Sequence, residues 1–203
     1  MPAKLRFTHA PMESGKSAML LIEAYNFEKR NIPILCMKPS VDNRESVDKI
    51  ASRIGISKEC LSIAPNYNIY NIVEQLLIKT REENEPRLQW ILVDESQFLT
   101  KLQVEQLRNI VDDFEINVMC YGLRTDFQTN LFEGSKRLFE LADDINEMKI
   151  SCECGGKAII NARFNENGQI IFNGEQVLIG GEDKYKPMCS KCYINELRKN
   201  NQK

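Results

Sequence analysis

The chain has 203 residues, 27 lysines and arginines against 29 aspartates and glutamates, a net charge of −2 and a single histidine, which is room for one core domain and a small appendage. The balanced charge excludes the basic field that drives binding to nucleic acid or anionic lipid, and no apolar run approaches the roughly 18 residues needed to span a bilayer. The opening Met-Pro-Ala-Lys-Leu-Arg-Phe-Thr lacks the apolar stretch of a secretory signal, so a cytoplasmic location is expected.

A strand is expected over 4–9, ending at His9, which reads as a structural residue rather than a base. Next comes Ala10-Pro11-Met12-Glu13-Ser14-Gly15-Lys16-Ser17, and then a helix over 16–30 in which Leu20, Ala24 and Phe27 repeat at helical spacing. A phosphate-binding loop needs consecutive backbone N–H groups at the positive end of a helix, a lysine for the outer phosphates and a hydroxyl for Mg²⁺. Gly15, Lys16 and Ser17 supply the second half of that pattern. Ala10 stands where the first glycine would be, and an intact loop with ordinary φ is expected there. Glu13 brings a carboxylate into an anion-binding loop and is expected to point to solvent.

Further strands are expected over 33–38, 88–94 and 116–121, and helices over 70–84, 101–113 and 135–143. Residues 40–68 read as a polar active-site loop with a short helix near 46–54. Continuous apolar runs such as Ile-Leu-Cys-Met and Ile-Leu-Val suit strands buried on both faces of a mostly parallel sheet. Cys36, Cys60 and Cys120 read as core thiols. The run Gln89-Trp90-Ile91-Leu92-Val93-Asp94-Glu95 ends in two carboxylates, the pattern that places a Mg²⁺-linked aspartate beside bound phosphates. A solvent-facing pair of acids is the plain alternative, but loop and acids together favour a nucleoside triphosphate site.

After about residue 148 the texture changes. Ala-Ile-Ile-Asn-Ala-Arg-Phe, a turn at Asn-Glu-Asn-Gly and Gln-Ile-Ile-Phe predict a hairpin. Cys152 and Cys154 precede it, and Cys189 and Cys192 follow it. Four thiolates in two close pairs suit a closed, structural Zn²⁺ site, favoured over an iron–sulfur cluster or free thiols. The end from 198 onward is expected to fray. The fold expected is α/β, a nucleotide-binding domain with a mostly parallel sheet over 1–148, a small zinc-binding β domain over 149–195 and a polar tail over 196–203.

These motifs, with Lys38-Pro39-Ser40-Val41-Asp42-Asn43-Arg44, Asp94-Glu95-Ser96-Gln97-Phe98, Tyr121-Gly122-Leu123-Arg124-Thr125-Asp126-Phe127 and Ile179-Gly180-Gly181-Glu182-Asp183-Lys184-Tyr185, resemble the type II, cytosolic thymidine kinases in their bacterial branch. The resemblance covers nearly the whole chain and implies a RecA-like P-loop domain followed by a small zinc domain that carries a lasso loop. It implies ATP-dependent phosphorylation of thymidine, and of deoxyuridine, in nucleotide salvage and DNA precursor synthesis. By the same resemblance residues 10–17 (Ala10, Pro11, Met12, Glu13, Ser14, Gly15, Lys16, Ser17) would wrap the ATP phosphates, with Asp94 on the metal's water shell, Glu95 as general base, and Ser96 and Gln97 beside them. Asp42 and Arg44 would lie near the sugar and phosphates. Met12, Phe98, Leu123, Phe127, Phe132 and Tyr185 would line the thymine pocket. Gln176, Val177, Leu178, Ile179 and Gly180 match a lasso whose main chain pairs with the base, anchored by Cys152, Cys154, Cys189 and Cys192. The cofactors implied are ATP, Mg²⁺ and structural Zn²⁺, and the family further implies a homotetramer and feedback inhibition by thymidine triphosphate, with no nucleic-acid or membrane partner. For Phe127, Phe132 and Tyr185 core packing is the plain alternative. For the whole chain the rivals are a P-loop ATPase whose zinc module contacts nucleic acid and a non-catalytic nucleotide-binding relative.

Overall fold

The computed structural model describes residues 2–41, 48–176 and 185–200. In chain order the first half forms β1 (Leu5–His9), α1 (Lys16–Lys29), β2 (Ile34–Pro39), β3 (Lys49–Ala51), β4 (Ser57–Glu59), β5 (Leu61–Ile63) and α2 (Ile69–Glu82). There follow β6 (Trp90–Val93), a 3₁₀ turn (Ser96–Phe98), α3 (Lys101–Phe114), β7 (Asn117–Gly122), α4 (Glu133–Leu141) and β8 (Asp144–Glu147). The last elements are β9 (Ile160–Phe164), β10 (Ile170–Ile171), β11 (Tyr185–Met188) and α5 (Ser190–Asn200).

Six strands form one sheet in the order β5-β2-β6-β7-β1-β8, and every pairing in it is parallel. Parallel strands joined by helices must be buried on both faces, and the side chains divide accordingly. Met37, Ile91, Val93, Val118 and Cys120 face one layer with residues of α2, α3 and α4. Cys36, Leu92 and Tyr121 face the other, against Leu20, Leu21, Ala24 and Phe27 of α1. This is the α/β P-loop architecture that the sequence predicts, with β7 between the strand that leads into the phosphate loop and the strand that ends in the two acids. The C-terminal ends of β1, β6 and β7 therefore open on one edge, where ligands of parallel α/β sheets bind.

Local signals fix the helix starts. The Asn68 side chain accepts from the Asn71 amide at 3.0 Å to cap α2, and Thr100 with Gln103 forms a reciprocal capping box at α3. The start of α1 carries no side-chain cap, and its N-cap, Gly15, sits at φ 79°, a left-handed conformation that glycine adopts without a Cβ penalty.

The short helix expected near 46–54 is not formed in the described part of that stretch. Lys49–Ala51 and Ser57–Glu59 pair antiparallel, turning through Gly55 at φ 86°. Ile50 and Ile54 have helical spacing, but Ile50 is instead buried against α1, and that contact outweighs local preference. Strand β8, unexpected from its polar sequence Asp-Ile-Asn-Glu, lies on the sheet edge, where backbone pairing with β1 suffices. The Asp143 carboxylate accepts the Leu5 amide at 2.8 Å and sets its start.

The predicted hairpin is present as β9 and β10, and β11 pairs on the other side of β9. Pro187 obscures β11 in the sequence but is tolerated there because only one side of β11 is paired. Helix α5 was also not expected. It carries the chain through residue 198, where fraying is expected, to Asn200. His9 is buried against the Phe7 and Phe139 rings, a structural position as expected. Cys36 and Cys120 are buried in opposite layers of the sheet, and Cys60 is half-buried beside the layer of Cys36.

Candidate active site

Two short loops meet at the C-terminal edge of the sheet. The first runs from Ala10 to Ser17. Ala10 is buried and outside the left-handed region, so the missing glycine costs no backbone strain. Glu13 is the left-handed residue instead, at φ 63°, and its carboxylate turns outward to Arg53 at 3.1 Å. Lys16 is buried, and its ammonium donates to the Pro11 carbonyl at 2.9 Å and the Ser14 hydroxyl at 3.3 Å. A buried lysine inside a loop of amides, at an uncapped helix start, is the arrangement that receives a polyphosphate.

The second loop starts at the end of β6. Asp94 is 4% exposed and bonds the Ser17 hydroxyl, while its Oδ1 is buried with no hydrogen-bond partner. Burial, and next the charge of Glu95, push the Asp94 carboxyl up to about 7, against the opposing pull of Ser17, the Glu95 amide and Lys16. A buried carboxylate oxygen with an open lone pair beside a hydroxyl suits the water shell of a hard divalent cation, so these residues fit Mg²⁺. Glu95 follows at φ 49°, a conformation costing about 1–2 kcal/mol for a residue with a Cβ. The left-handed turn separates the two acids: Asp94 is buried, whereas Glu95 is half-exposed and accepts from the Gln97 amide.

Ser96 and Gln97 lock this turn to β7. The Ser96 hydroxyl donates to the Tyr121 carbonyl at 2.9 Å, and Gln97 Oε1 accepts the Leu123 amide at 3.0 Å. A Cβ on Gly122 would stand 2.7 Å from both side-chain oxygens, so only glycine permits this approach.

The residues expected around the nucleoside form two groups. Phe98 and Phe132 meet edge to face at 5.7 Å. Phe127 is buried beneath the Arg163 guanidinium at 5.0 Å, and Tyr185 lies opposite Arg163 in the β9–β11 register. Leu123 is half-buried next to Gln97, Met12 is half-buried in the phosphate loop, and the Gln176 amide donates to Asp126 at 2.9 Å. Asp42 and Arg44, with Val177, Leu178, Ile179 and Gly180, lie outside the described residues.

Three residues here carry no role in the sequence reading. Asp126 is buried and accepts the Gln128 and Asn130 amides, each at 2.9 Å, an Asx-type turn that Asp-Phe-Gln-Thr-Asn foreshadows. Asn161 and Arg163 are buried polar residues on β9. Their signal is polarity at alternate positions of an otherwise apolar strand.

The four cysteines expected to hold zinc come together. All four sulfurs lie within 4.8 Å of one another, and Cys154 and Cys189 are 3.6 Å apart. Tetrahedral zinc with bonds of about 2.3 Å needs sulfurs about 3.8 Å apart, so the set fits. Gly155, at φ 82°, makes the turn after the first pair, where the Cys152 amide donates to the Gly156 carbonyl at 2.7 Å. The Cys189 sulfur accepts the Cys192 amide at 3.4 Å. Backbone amides of Cys154 and Cys189 bring the Cys152 thiol down to about 7, while the sulfurs of Cys154 and Cys189 push Cys192 up to about 12. A cluster this tight needs a cation before all four can be thiolates. Four thiolates around one ion leave no open position, so the set suits a structural zinc rather than a catalytic one.

A family model described as thymidine kinase matches residues 3–193. The thymidine kinase of Rhodopirellula baltica is 46% identical over 190 residues, covering 92% of this chain and 86% of that protein. That of Enterobacteria phage T4 is 44% identical over 197 residues, 97% of this chain and 98% of the relative. That of Pasteurella multocida is 44% identical over 195 residues, with shares of 96% and 98%.

Proposed function

The chain belongs to the thymidine kinase family, and from that premise we propose that it transfers the terminal phosphoryl group of ATP to the 5′-hydroxyl of thymidine, and of deoxyuridine. The observation that carries this reading is the divided pair at the end of β6. Asp94 is buried on Ser17 of the phosphate loop, and Glu95 is turned out by its own backbone.

The division separates two tasks. In the 10–17 loop the amides from Glu13 onward, with Lys16, bind and neutralise the phosphates, Ser17 and Asp94 would hold Mg²⁺, and Glu95 accepts the proton of the 5′-hydroxyl as its oxygen bonds to the γ-phosphorus. The bond from that phosphorus to the ADP oxygen breaks, and ADP leaves with the electron pair. Mg²⁺, when bound, offsets charge on the phosphate oxygens. Gln97 orients Glu95 from one side and the Leu123 amide from the other.

Met12, Phe98, Leu123, Phe127, Phe132 and Tyr185 are assigned to the base pocket, Asp42 and Arg44 to sugar and phosphates, and Gln176, Val177, Leu178, Ile179 and Gly180 to a main-chain clasp over the base. Residues 1–148 act as the nucleotide-binding unit and 149–195 as the zinc-held clasp, with 196–203 a polar tail. The enzyme works in the cytoplasm as a homotetramer inhibited by thymidine triphosphate. A P-loop ATPase with a nucleic-acid-binding zinc module is the competing reading, and ADP release separates the two. Release that depends on thymidine and not on DNA supports the kinase, and release stimulated by DNA without nucleoside refutes it.

A further inference from the structure

Asn161 lies on β9, in the four-cysteine part of the chain, and is 3% exposed. Its carboxamide reaches two loops of the nucleotide-binding sheet. Oδ1 accepts the Met12 amide at 2.7 Å, and Nδ2 donates to the Thr125 carbonyl at 3.4 Å. Side chains two apart on a strand share a face, and Arg163, on the same face, covers Phe127 and donates to the Glu175 carbonyl at 3.1 Å. Asn161 is paired in register with Pro187 of β11, the strand that runs directly into Cys189.

Each amide of a phosphate-binding loop has one N–H to aim. The Met12 N–H is spent on Asn161 and the Ala10 N–H on the Gly122 carbonyl at 3.2 Å, so the amides left for an anion begin at Glu13. Pinning that peptide fixes the course of the loop from Ala10 toward Gly15. We propose that Asn161 is a positioning residue for the phosphate loop: by holding the Met12 peptide it presets the loop for ATP and makes that geometry depend on the zinc-held unit. The proposal rests on the kinase reading. Of its two bonds the shorter goes to the Met12 peptide of the loop, so its loss is read in the KM for ATP.

Two variants and one exchange measurement test it. Asn161→Leu keeps the branching at Cγ, with two methyls bulkier than the carboxamide, and removes both hydrogen bonds, whereas Asn161→Asp keeps an acceptor for Met12. With zinc content unchanged, Asn161→Leu is expected to raise KM for ATP about tenfold with kcat reduced less than about threefold, and Asn161→Asp to fall between it and the parent. A merely structural role would lower thermal stability and leave KM for ATP in place. A KM for ATP within about twofold of the parent in Asn161→Leu, or Asn161→Asp as impaired as Asn161→Leu, overturns the proposal. If Asn161→Leu does not fold, residue-resolved amide exchange on the unaltered protein decides. Met12 is expected to be protected without nucleotide and unchanged by Mg-ADP, while amides in 13–17 slow on binding. A Met12 amide protected only with Mg-ADP overturns the proposal. Failure of the kinase reading is distinguishable, since the unaltered protein would then make no thymidine monophosphate.

Discussion

The Ser17 hydroxyl, one residue into α1, bonds the Asp94 carboxylate at the end of β6, and so joins the loop of residues 10–17 to the buried acid proposed to hold Mg²⁺. The other carboxylate oxygen is buried without a partner. The site thus stores an uncompensated polar atom, a cost to folding that the proposed cation would offset.

Asp94→Asn is therefore expected to separate stability from activity. Removing a buried charge raised in pKa by burial and by Glu95 should stabilise the nucleotide-free protein by about 1 kcal/mol, roughly 2–4 °C in Tm for a chain of this size. Mg-ATP turnover should fall by about 10² or more. A thermal melt and a kinase assay on one preparation check both signs.

Glu95→Gln keeps the shape and the left-handed turn but cannot take a proton. The expected loss is in kcat, about 10²–10⁴, with KM for ATP near the parent value. Steady-state kinetics with both substrates varied is the measurement.

Glu13→Gln should change KM for ATP by less than about twofold. Its carboxylate pairs with Arg53 with both side chains largely exposed, a contact contributing about 0–1 kcal/mol. A large gain in ATP affinity would mean that the carboxylate turns toward the phosphates.

Stability should respond to His9 in the acid direction. Burial lowers its pKa, so the folded protein favours the neutral ring. That contribution is fully present above the ordinary value of about 6.5 and is lost as pH falls through it toward the lower folded value. Tm measured from pH 7.5 to 5.5 should drop, and His9→Gln should flatten the part of the curve due to this ring.

Zinc removal should act on substrates that zinc does not touch. Chelation followed by restored Mg²⁺ is expected to loosen β9 and β11 and to raise KM for thymidine and for ATP together, with recovery on adding zinc. Metal content and both KM values, read on the same samples, check this.

The parts of this site legible in the sequence are those whose chemistry is local. Gly15-Lys16-Ser17 after a strand, Asp94-Glu95 closing an apolar run and the two cysteine pairs each declare themselves within a few residues, and the structure brings loop, acids and thiols into the expected groupings. What was not legible depends on distant partners. Ile50 and Ile54 have the spacing of a helix, yet burial against α1 makes Lys49–Ala51 a strand. Strand β8 is too polar to announce itself and exists because β1 offers an edge. Asn161 and Met12 are 149 positions apart, and only the folded chain shows that one holds the other.

The central claim is tested most directly by following the γ-phosphoryl group. With labelled ATP, Mg²⁺ and thymidine, the account predicts label in thymidine monophosphate, formed only when the nucleoside is present and largely abolished by Glu95→Gln. No labelled monophosphate, or label released as inorganic phosphate at the same rate without thymidine, would contradict it.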